Sequence, residues 1–434
     1  MTGFETVPYE TFGIHRPALS YFSIFDEYRE RAPAFRLDIA PGNEGWMLTR
    51  LAAIREAFQH PETFSSTAVI PSAPDPQYKL IPEMIDPPEH TAWRRVLGNI
   101  FGPKAVERLD PWVRERAATL VADLAGAGSC DFVTDFAQQF PNSVFLDILG
   151  LPQAELPFFV SAVDKIMHGN HADPDDAKRS ADTMAEVSEY FRELVAHRRR
   201  APKDDLISTA MDFEIDDAPV SDADLLSLLV FLFMAGLDTV AIQLSYSFLH
   251  LATHPGDRER VVADPGSIPG FVEDLLRVYS FVAPARKVTR DVESNGCPMR
   301  AGEMVYLPLP AANRDPREFP SPDKVDADRP HNRHIAFGAG PHRCLGSHLA
   351  RRELRIALEE WHRRIPSYAV DKDTAITESG QQIGLVTLPL HWPALRSSAR
   401  PRPLGRGRGH RSACQAPATP SSSPCPPNGP MISA

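Results

Sequence analysis

The 434-residue sequence has few cysteines, and they stand far apart. Its five cysteines show no paired spacing, which argues against the disulfide framework of a secreted domain. Basic residues are outnumbered by acidic ones, and the formal net charge of -11 argues against general binding to nucleic acid. We therefore expect no nucleic-acid partner.

Long apolar segments are also missing. The longest apolar run, 225–237, contains Ser227 and is too short to cross a bilayer. Residues 1–16 are polar and lack the apolar segment of a secretory signal peptide. Because 43 % of the residues are nevertheless apolar, we expect a cytoplasmic protein with a sizeable core and no membrane anchor.

Helical periodicity dominates the sequence, and strand-like segments are few. Residues 87–251 are mostly helical in pattern, with breaks at proline and glycine, and 313–336 form a long irregular stretch. The strand-like segments are Ala34–Leu37 and Trp46–Thr49, on either side of a turn, and Met304–Leu307. The pattern predicts a mainly α fold with a minor β part.

The last residues differ in composition from the rest. Residues 393–434 contain nine prolines, six arginines and no acidic residue. Such a segment cannot bury a core. We therefore expect one folded domain over 1–392 and a disordered tail over 393–434, which is either inert or binds acidic surfaces.

The most informative segment is Phe337–Gly346, which reads FGAGPHRCLG. Gly338, Gly340 and Gly346 leave the backbone bare, so that a large flat group can approach it. Residues 347–365 have the pattern of an amphipathic helix, which places Cys344 just before a helix N-terminus. The helix dipole there favours a thiolate, so Cys344 is predicted to be a metal ligand.

Two other interpretations of this segment are open. A free cysteine is often simply a buried structural residue. A zinc site would instead combine several ligands, although zinc sites usually have regularly spaced pairs and need no glycines. Its candidate ligands are His331, His334, His342, His348 and Cys344.

A second motif, AGLDT at 235–239, interrupts an apolar helix predicted over Asp222–His254. Gly236 weakens the helix, and the Thr239 hydroxyl can bond the Ala235 carbonyl. A buried Asp238 is costly without a purpose. A kinked core helix with satisfied polar groups is the alternative.

The two motifs together resemble those of the cytochrome P-450 superfamily, especially its bacterial camphor monooxygenases. The similarity extends over most of 63–392. It implies a triangular, mostly helical haem-thiolate domain in which Cys344 ligates the iron of haem b. It also implies that Asp238 relays the protons that O2 activation consumes, and that Thr239 holds the oxygen species or a water. The implied activity is a monooxygenase.

The resemblance assigns further residues. Phe337, Gly338, Gly340 and Gly346 belong to the cysteine loop, and the haem propionates are matched to His90, Arg94, Arg286 and His342, each of which could be only a surface charge. The buried ion network is matched to Asp274, Arg277 and Arg329. Asp274 replaces the family's glutamate, and Glu273 could substitute for it on the same helix face.

The substrate pocket is matched to Tyr78, Val69, Met234, Ala235 and Val282. Tyr78 falls where a tyrosine hydrogen-bonds camphor, and Val69 suggests a roomier pocket. The expected reaction is hydroxylation of a small hydrophobic compound, such as a terpenoid. The alternatives are a larger polyketide, macrolide or steroid, a peroxide-driven or rearranging relative, and a non-catalytic haem-binding recruitment protein.

Electrons must come from another protein, because no flavin or iron–sulfur motif is present. The implied donor is an iron–sulfur ferredoxin with an NAD(P)H-dependent reductase. Its acidic surface is expected to dock on basic residues near the cysteine: Arg94, Arg95, Arg343, Arg351 and Arg352.

Overall fold

The computed structural model describes residues 4–12, 15–168, 173–371, 373–380 and 382–393, and most of its regular structure is helical. In these ranges the α-helices are α1 (Ser20–Arg31), α2 (Leu51–Gln59), α3 (Glu89–Phe101), α4 (Pro103–Glu107), α5 (Asp110–Ala125), α6 (Gln139–Ile148), α7 (Leu156–Val163), α8 (Pro174–Arg200), α9 (Leu206–Met211), α10 (Asp222–Gly236), α11 (Thr239–Thr253), α12 (Pro255–Ala263), α13 (Ile268–Val278), α14 (Leu309–Asn313) and α15 (Ser347–Arg364). Short 3₁₀ or π-helical turns occupy Tyr9–Phe12, Val133–Ala137, Gln153–Glu155, Asp164–His168 and Pro265–Ser267.

The strands are short and form one larger sheet and several small ones. They are β1 (Thr6–Pro8), β2 (Arg16–Pro17), β3 (Ala34–Ala40), β4 (Asn43–Leu48), β5 (Phe64–Ser65), β6 (Ser129–Asp131), β7 (Glu214–Ile215), β8 (Ala218–Pro219), β9 (Ala285–Val288), β10 (Val292–Ser294), β11 (Cys297–Met299), β12 (Met304–Tyr306), β13 (Thr377–Ser379), β14 (Gly384–Leu385) and β15 (Pro389–His391). The larger sheet has the order β1-β3-β4-β12-β9-β5, with parallel pairing of β1 with β3 and of β4 with β12. A second sheet has the order β14-β13-β2.

Helix α11 forms the centre of the larger core. Its residues from Val240 to Leu251 are all buried, which explains why this segment is apolar on every face. Around it pack the π-helical turn at Val133–Ala137, α6 and α15. The ring of Phe248 stacks on Phe132 at a centroid distance of 4.0 Å and meets Trp361 edge-on at 5.2 Å.

The helix predicted over Asp222–His254 is two helices. α10 ends at Gly236 and α11 begins at Thr239, so Leu237 and Asp238 lie in a break. By length and composition, the whole segment Asp222–Thr253 could cross a membrane. The uninterrupted apolar run within it, 225–237, is too short to do so. However, 61 % of its most apolar window is buried inside the protein, so its composition is that of a core element.

Gly236 has a packing reason as well as a conformational one. A Cβ at this position would lie 2.5 Å from the ring of Phe145 on α6. Glycine therefore allows α6 to approach α10 just before the break.

The mainly α fold with a minor β part is confirmed. The strands predicted near residues 34, 46 and 304 are β3, β4 and β12, and the helix predicted after the cysteine loop is α15. The stretch 314–346 contains no helix or strand. Residues 394–434 lie outside the described residues, so the tail stays a prediction.

Candidate functional site

The cysteine loop is a tight backbone turn between the irregular stretch and α15. The Cys344 N–H donates to the Phe337 carbonyl at 2.8 Å, and the Gly338 N–H donates to the Ile335 carbonyl at 2.8 Å. Gly338 and Gly340 have φ values of 68° and 69°, in the left-handed region that glycine adopts without strain. These contacts fix Cys344 three residues before α15 begins.

Gly340 is also held against the end of α2. A Cβ there would lie 2.2 Å from the Phe58 carbonyl oxygen, so no larger residue fits. The guanidinium of Arg286 in turn packs over the Phe58 ring, 5.2 Å from the centroid of that ring. One residue of α2 therefore supports both the cysteine loop and a candidate propionate ligand.

Cys344 is exposed, whereas Cys297 is buried. Burial among the surrounding protein atoms nevertheless raises the pKa of the Cys344 thiol, and the Gly346 N–H and the charges of Arg94 and Arg343 oppose this shift. Desolvation therefore opposes the thiolate that the helix terminus and the two arginines favour, and the thiolate at Cys344 stays a prediction.

Neither alternative interpretation of the loop agrees with this geometry. Cys344 is an exposed residue, which does not fit a buried structural cysteine. Among the described residues no group of three or more His, Cys, Asp and Glu side chains could hold a metal ion, which removes the zinc site. His334, one of its proposed ligands, contacts Glu273 at 3.0 Å instead.

Four nitrogen-bearing side chains from three segments meet beside the loop. His90 and Arg94 lie one turn apart on α3, Arg286 is buried on β9, and His342 comes from the loop. The rings of His90 and His342 are 3.9 Å apart. Among the described residues, Nδ1 of His90 and both ring nitrogens of His342 are buried without a hydrogen-bond partner.

Burial governs the charge of this cluster. It lowers the pKa of His342 to about 2 and that of His90 to about 4, and neighbouring arginines act in the same direction. Burial also lowers the pKa of Arg286, which lies 3.7 Å from Glu83. Burial raises the pKa of Glu83, a residue that the sequence analysis missed because no motif marks it.

The break between α10 and α11 has the hydrogen bond expected of it. The Thr239 hydroxyl donates to the Ala235 carbonyl at 3.0 Å. Asp238 is buried, and its Oδ1 lies 3.1 Å from Nε2 of His168. His168 is 70 residues away in sequence, and no local pattern could have connected it with Asp238.

The residues matched to the substrate pocket are partly exposed. Met234 and Ala235 are half-buried, although the neighbouring Leu232 and Phe233 are buried. Val69 and Val282 are also half-buried, and Tyr78 is 50 % exposed. The loop after Tyr78 is fixed to α10, because Ser227 Oγ accepts from the Ile81 N–H at 3.0 Å and donates to the Lys79 carbonyl at 2.6 Å.

The structure brings the three residues of the predicted ion network together. Both Asp274 oxygens accept from Arg277, at 2.5 and 3.0 Å, and Oδ1 also accepts from Arg329 at 2.9 Å. Glu273 does not substitute for Asp274. It pairs with Arg351 at 2.6 and 2.9 Å, because α15 packs against that side of α13.

The predicted basic docking cluster is smaller than expected. Arg351 is paired with Glu273, and Arg352 is paired with Asp110. Arg94 is half-buried, whereas Arg95 and Arg343 are exposed. Only the last two of the five arginines combine exposure with the absence of an ion pair among the described residues.

Comparison with known proteins agrees with this site. The family model described as Cytochrome P-450 matches residues 12–264 and 269–375. The chain belongs to the cytochrome P-450 family. It is accordingly a haem-thiolate monooxygenase, and its cofactor is haem b.

Individual relatives are similar over nearly their whole length. The probable cytochrome P-450 127A1 of Sinorhizobium fredii is 37 % identical over 354 residues, which are 81 % of this chain and 84 % of that protein. The mycinamicin IV hydroxylase/epoxidase of Micromonospora griseorubida is 32 % identical over 410 residues, 90 % of this chain and 100 % of that protein. The crystal structure of CYP101J2 superposes with a TM-score of 0.79 at 29 % identity, covering 90 % of this chain and 97 % of that one.

The residues present fit haem b. The unpartnered nitrogens of His90 and His342, together with Arg94 and Arg286, form the donor set that two carboxylates require. The backbone at Gly338 and Gly340 is bare beside an exposed sulfur. A flat dianionic group with one open metal position matches this combination.

Proposed function

We propose that the protein hydroxylates an unactivated C–H bond of a small hydrophobic compound, such as a terpenoid, with O2 and with electrons from a ferredoxin. Bound haem b supplies the oxygen-activating chemistry. The observation that carries the proposal is the cluster of His90, Arg94, Arg286 and His342 beside the loop of Cys344, in a chain that also has a helix break with Asp238 and Thr239. Cys344 would ligate the iron, and His90, Arg94, Arg286 and His342 would hold the propionates.

Asp238 would transfer protons to the reaction site, and Thr239 would assist it through hydrogen bonds. Asp238 keeps one carboxylate oxygen, Oδ2, without a hydrogen-bond partner among the described residues. Its carboxylate can therefore accept a proton at one oxygen while His168 holds the other. The Thr239 hydroxyl donates to the Ala235 carbonyl, so its own oxygen remains free to accept a hydrogen bond.

The pocket side chains would position the substrate and exclude water. Val69, Met234, Ala235 and Val282 would contact an apolar skeleton, and the Tyr78 hydroxyl would donate to a carbonyl group. A larger substrate is the second candidate, because Tyr78 is half exposed and Val69 is small. The relative named for mycinamicin IV supports oxygen insertion by hydroxylation or epoxidation.

The test begins with the haem-loaded protein, reduced and exposed to carbon monoxide. The strongly red-shifted absorption band of thiolate ligation is expected, and it should be lost in Cys344→Ser. Product formation with NADH, reductase and ferredoxin should then exceed that with peroxide alone. A peroxide-driven relative would give the reverse order, and a recruitment protein would give no product in either assay.

Asp238→Asn isolates the proton step. We expect ferredoxin-driven turnover to fall roughly 10²-fold, the usual contribution of one general acid–base group. Haem content and the carbon monoxide band should be unchanged, because Asp238 is proposed to contact neither the sulfur nor the propionates. Equal turnover in the two proteins would remove Asp238 from the mechanism.

We also propose that the ferredoxin docks at Arg95 and Arg343, and that the protein is cytoplasmic. Charge reversal of both residues to glutamate should weaken the apparent affinity for ferredoxin about tenfold at low salt, because a charged docking surface acts mainly on association. Arg300→Glu, at another exposed arginine, is the control. A loss as large in the control would contradict this docking face.

A further inference from the structure

The contact between Asp238 and His168 has properties that the family assignment does not explain. His168 is the last residue of the π-helical turn that follows α7. Its Nε2 lies 3.1 Å from Asp238 Oδ1, and the two side chains are 20 % and 5 % exposed. A titratable and largely buried group is therefore paired with the candidate proton carrier.

Both sides of the His168 ring meet acceptors. The backbone of Ser379 accepts a hydrogen bond from the ring, and Asp238 faces Nε2. Gly380, with φ 110°, permits this approach, since a Cβ there would lie 2.6 Å from Nδ1. A neutral imidazole donates through only one nitrogen, whereas the imidazolium donates through both. The surroundings therefore favour the protonated ring.

A polar cleft connects His168 with the surface. Its volume is about 230 Å³, and its walls are Asp164, Lys165, His168, Asp176 and Arg179. Asp176 and Arg179, on α8, pair with each other. Of the charged groups facing the ring, Asp238 comes from the helix break, Asp164 and Lys165 come from its own turn, and the β13–β14 side contributes backbone.

We propose that His168 is a positioning residue that holds Asp238 and links it to protons in this cleft. The inference rests on the proposed role of Asp238 in proton delivery. The imidazolium N–H at Nε2 transfers its proton to Oδ1 of Asp238, which leaves a neutral ring and a neutral carboxylic acid. Asp238 then passes this proton on and becomes a carboxylate again, and a hydronium ion from bulk solvent, relayed by water in the cleft, restores the proton at Nε2.

The charge balance of the site supports this direction. Burial alone would lower the pKa of His168, but the charge of Asp238, its hydrogen bond and Asp164 outweigh burial and raise it. The pKa of His168 is thus raised above its usual value, and the ring loses its proton as the pH rises through that pKa.

The first test needs neither substrate nor ferredoxin. NMR titration of ¹³C-labelled histidine in the full-length, haem-loaded protein should give a midpoint above 6.5 for the signal that disappears in His168→Gln. Asp238→Asn, which keeps His168, should lower that midpoint. A midpoint at or below 6.5, or one that Asp238→Asn does not change, would overturn the proposal.

The second test follows turnover against pH. Wild-type turnover should fall as the pH rises through the titration midpoint of His168. His168→Gln should be at least about tenfold slower at low pH, and its profile should lack this inflection. His60→Gln, which changes an exposed histidine 2.8 Å from Glu62, should keep both the rate and the profile.

The two tests separate their failures. Identical pH profiles in wild type and His168→Gln would show that the histidine has no part in proton supply. If no substrate or donor supports turnover, the proposed function fails. The titration of His168 in the presence and absence of the Asp238 charge still decides whether the two groups are coupled.

Discussion

Asp274 is a single carboxylate that satisfies two buried guanidinium groups. Besides Arg277 and Arg329, it accepts from the Asn332 side chain at 3.0 Å and from the Asp326 N–H at 2.6 Å. The side chains of Asp274 and Arg277 are fully buried. Asp274 thereby joins α13 to the irregular stretch that leads to the cysteine loop.

Asp274→Asn should destabilise the protein by about 3–5 kcal/mol, since it leaves two buried cations without their anion. Chemical denaturation of the haem-loaded protein measures this loss. Asp182→Asn breaks the exposed pair with Lys178 and should cost less than about 1 kcal/mol. Equal losses in the two variants would contradict a buried network.

Individual functional residues could be predicted from the sequence where they belong to a short local motif. Cys344, Thr239 and the Asp274 network could all be predicted, because each stands within a short recognisable pattern. Glu83 and His168 could not, since their importance comes from contacts with residues that are distant in sequence. The partner of Glu273 was predicted wrongly, because helix spacing does not reveal which neighbouring helix packs there.

At the scale of elements, the break between α10 and α11 is the main difference from the sequence prediction. The apolar helical pattern resumes on both sides of Leu237 and Asp238, and it therefore predicts one helix. Close contact between Gly236 and Phe145, and the bond from Thr239 to the Ala235 carbonyl, are tertiary and side-chain effects. Periodicity does not report either of them.

Gly236→Ala should destabilise the protein by about 1–3 kcal/mol, because the added methyl group overlaps the Phe145 ring. Thermal unfolding measures the change. Gly98→Ala is the matched control within α3, where a Cβ meets no atom within 4 Å. It should stabilise by up to about 1 kcal/mol through helix propensity. An increase in stability in both variants would mean that α6 and α10 are not tightly packed at Gly236.

At the scale of the whole molecule, buried histidines make the free energy of unfolding depend on pH in the acidic range. Burial lowers the pKa of His362 to about 4, and its Nδ1 lies 2.7 Å from the Leu358 carbonyl. Between pH 6.5 and 4 the unfolded chain binds a proton at this position and the folded chain does not. The free energy of unfolding therefore falls as the pH falls through this window, by up to about 3 kcal/mol.

His362→Gln should remove this contribution. The slope of the unfolding free energy against pH, measured between pH 4 and 6.5, should become shallower by up to about 1.4 kcal/mol per pH unit. His60→Gln, at an exposed position, should leave the slope as it is. The slope is the decisive quantity, because lost packing shifts the curve without tilting it.

The close packing of Gly340 against the Phe58 carbonyl has a consequence for transferring this loop to another protein. The carbonyl that excludes a side chain at position 340 belongs to the last turn of α2, while the ring of the same residue supports Arg286. The cysteine loop and Arg286 thus share one support, Phe58, which lies outside the segment Phe337–Gly346. A graft that transferred residues 337–346 without Phe58 and the last turn of α2 would include Cys344 but would not hold the loop in the same position.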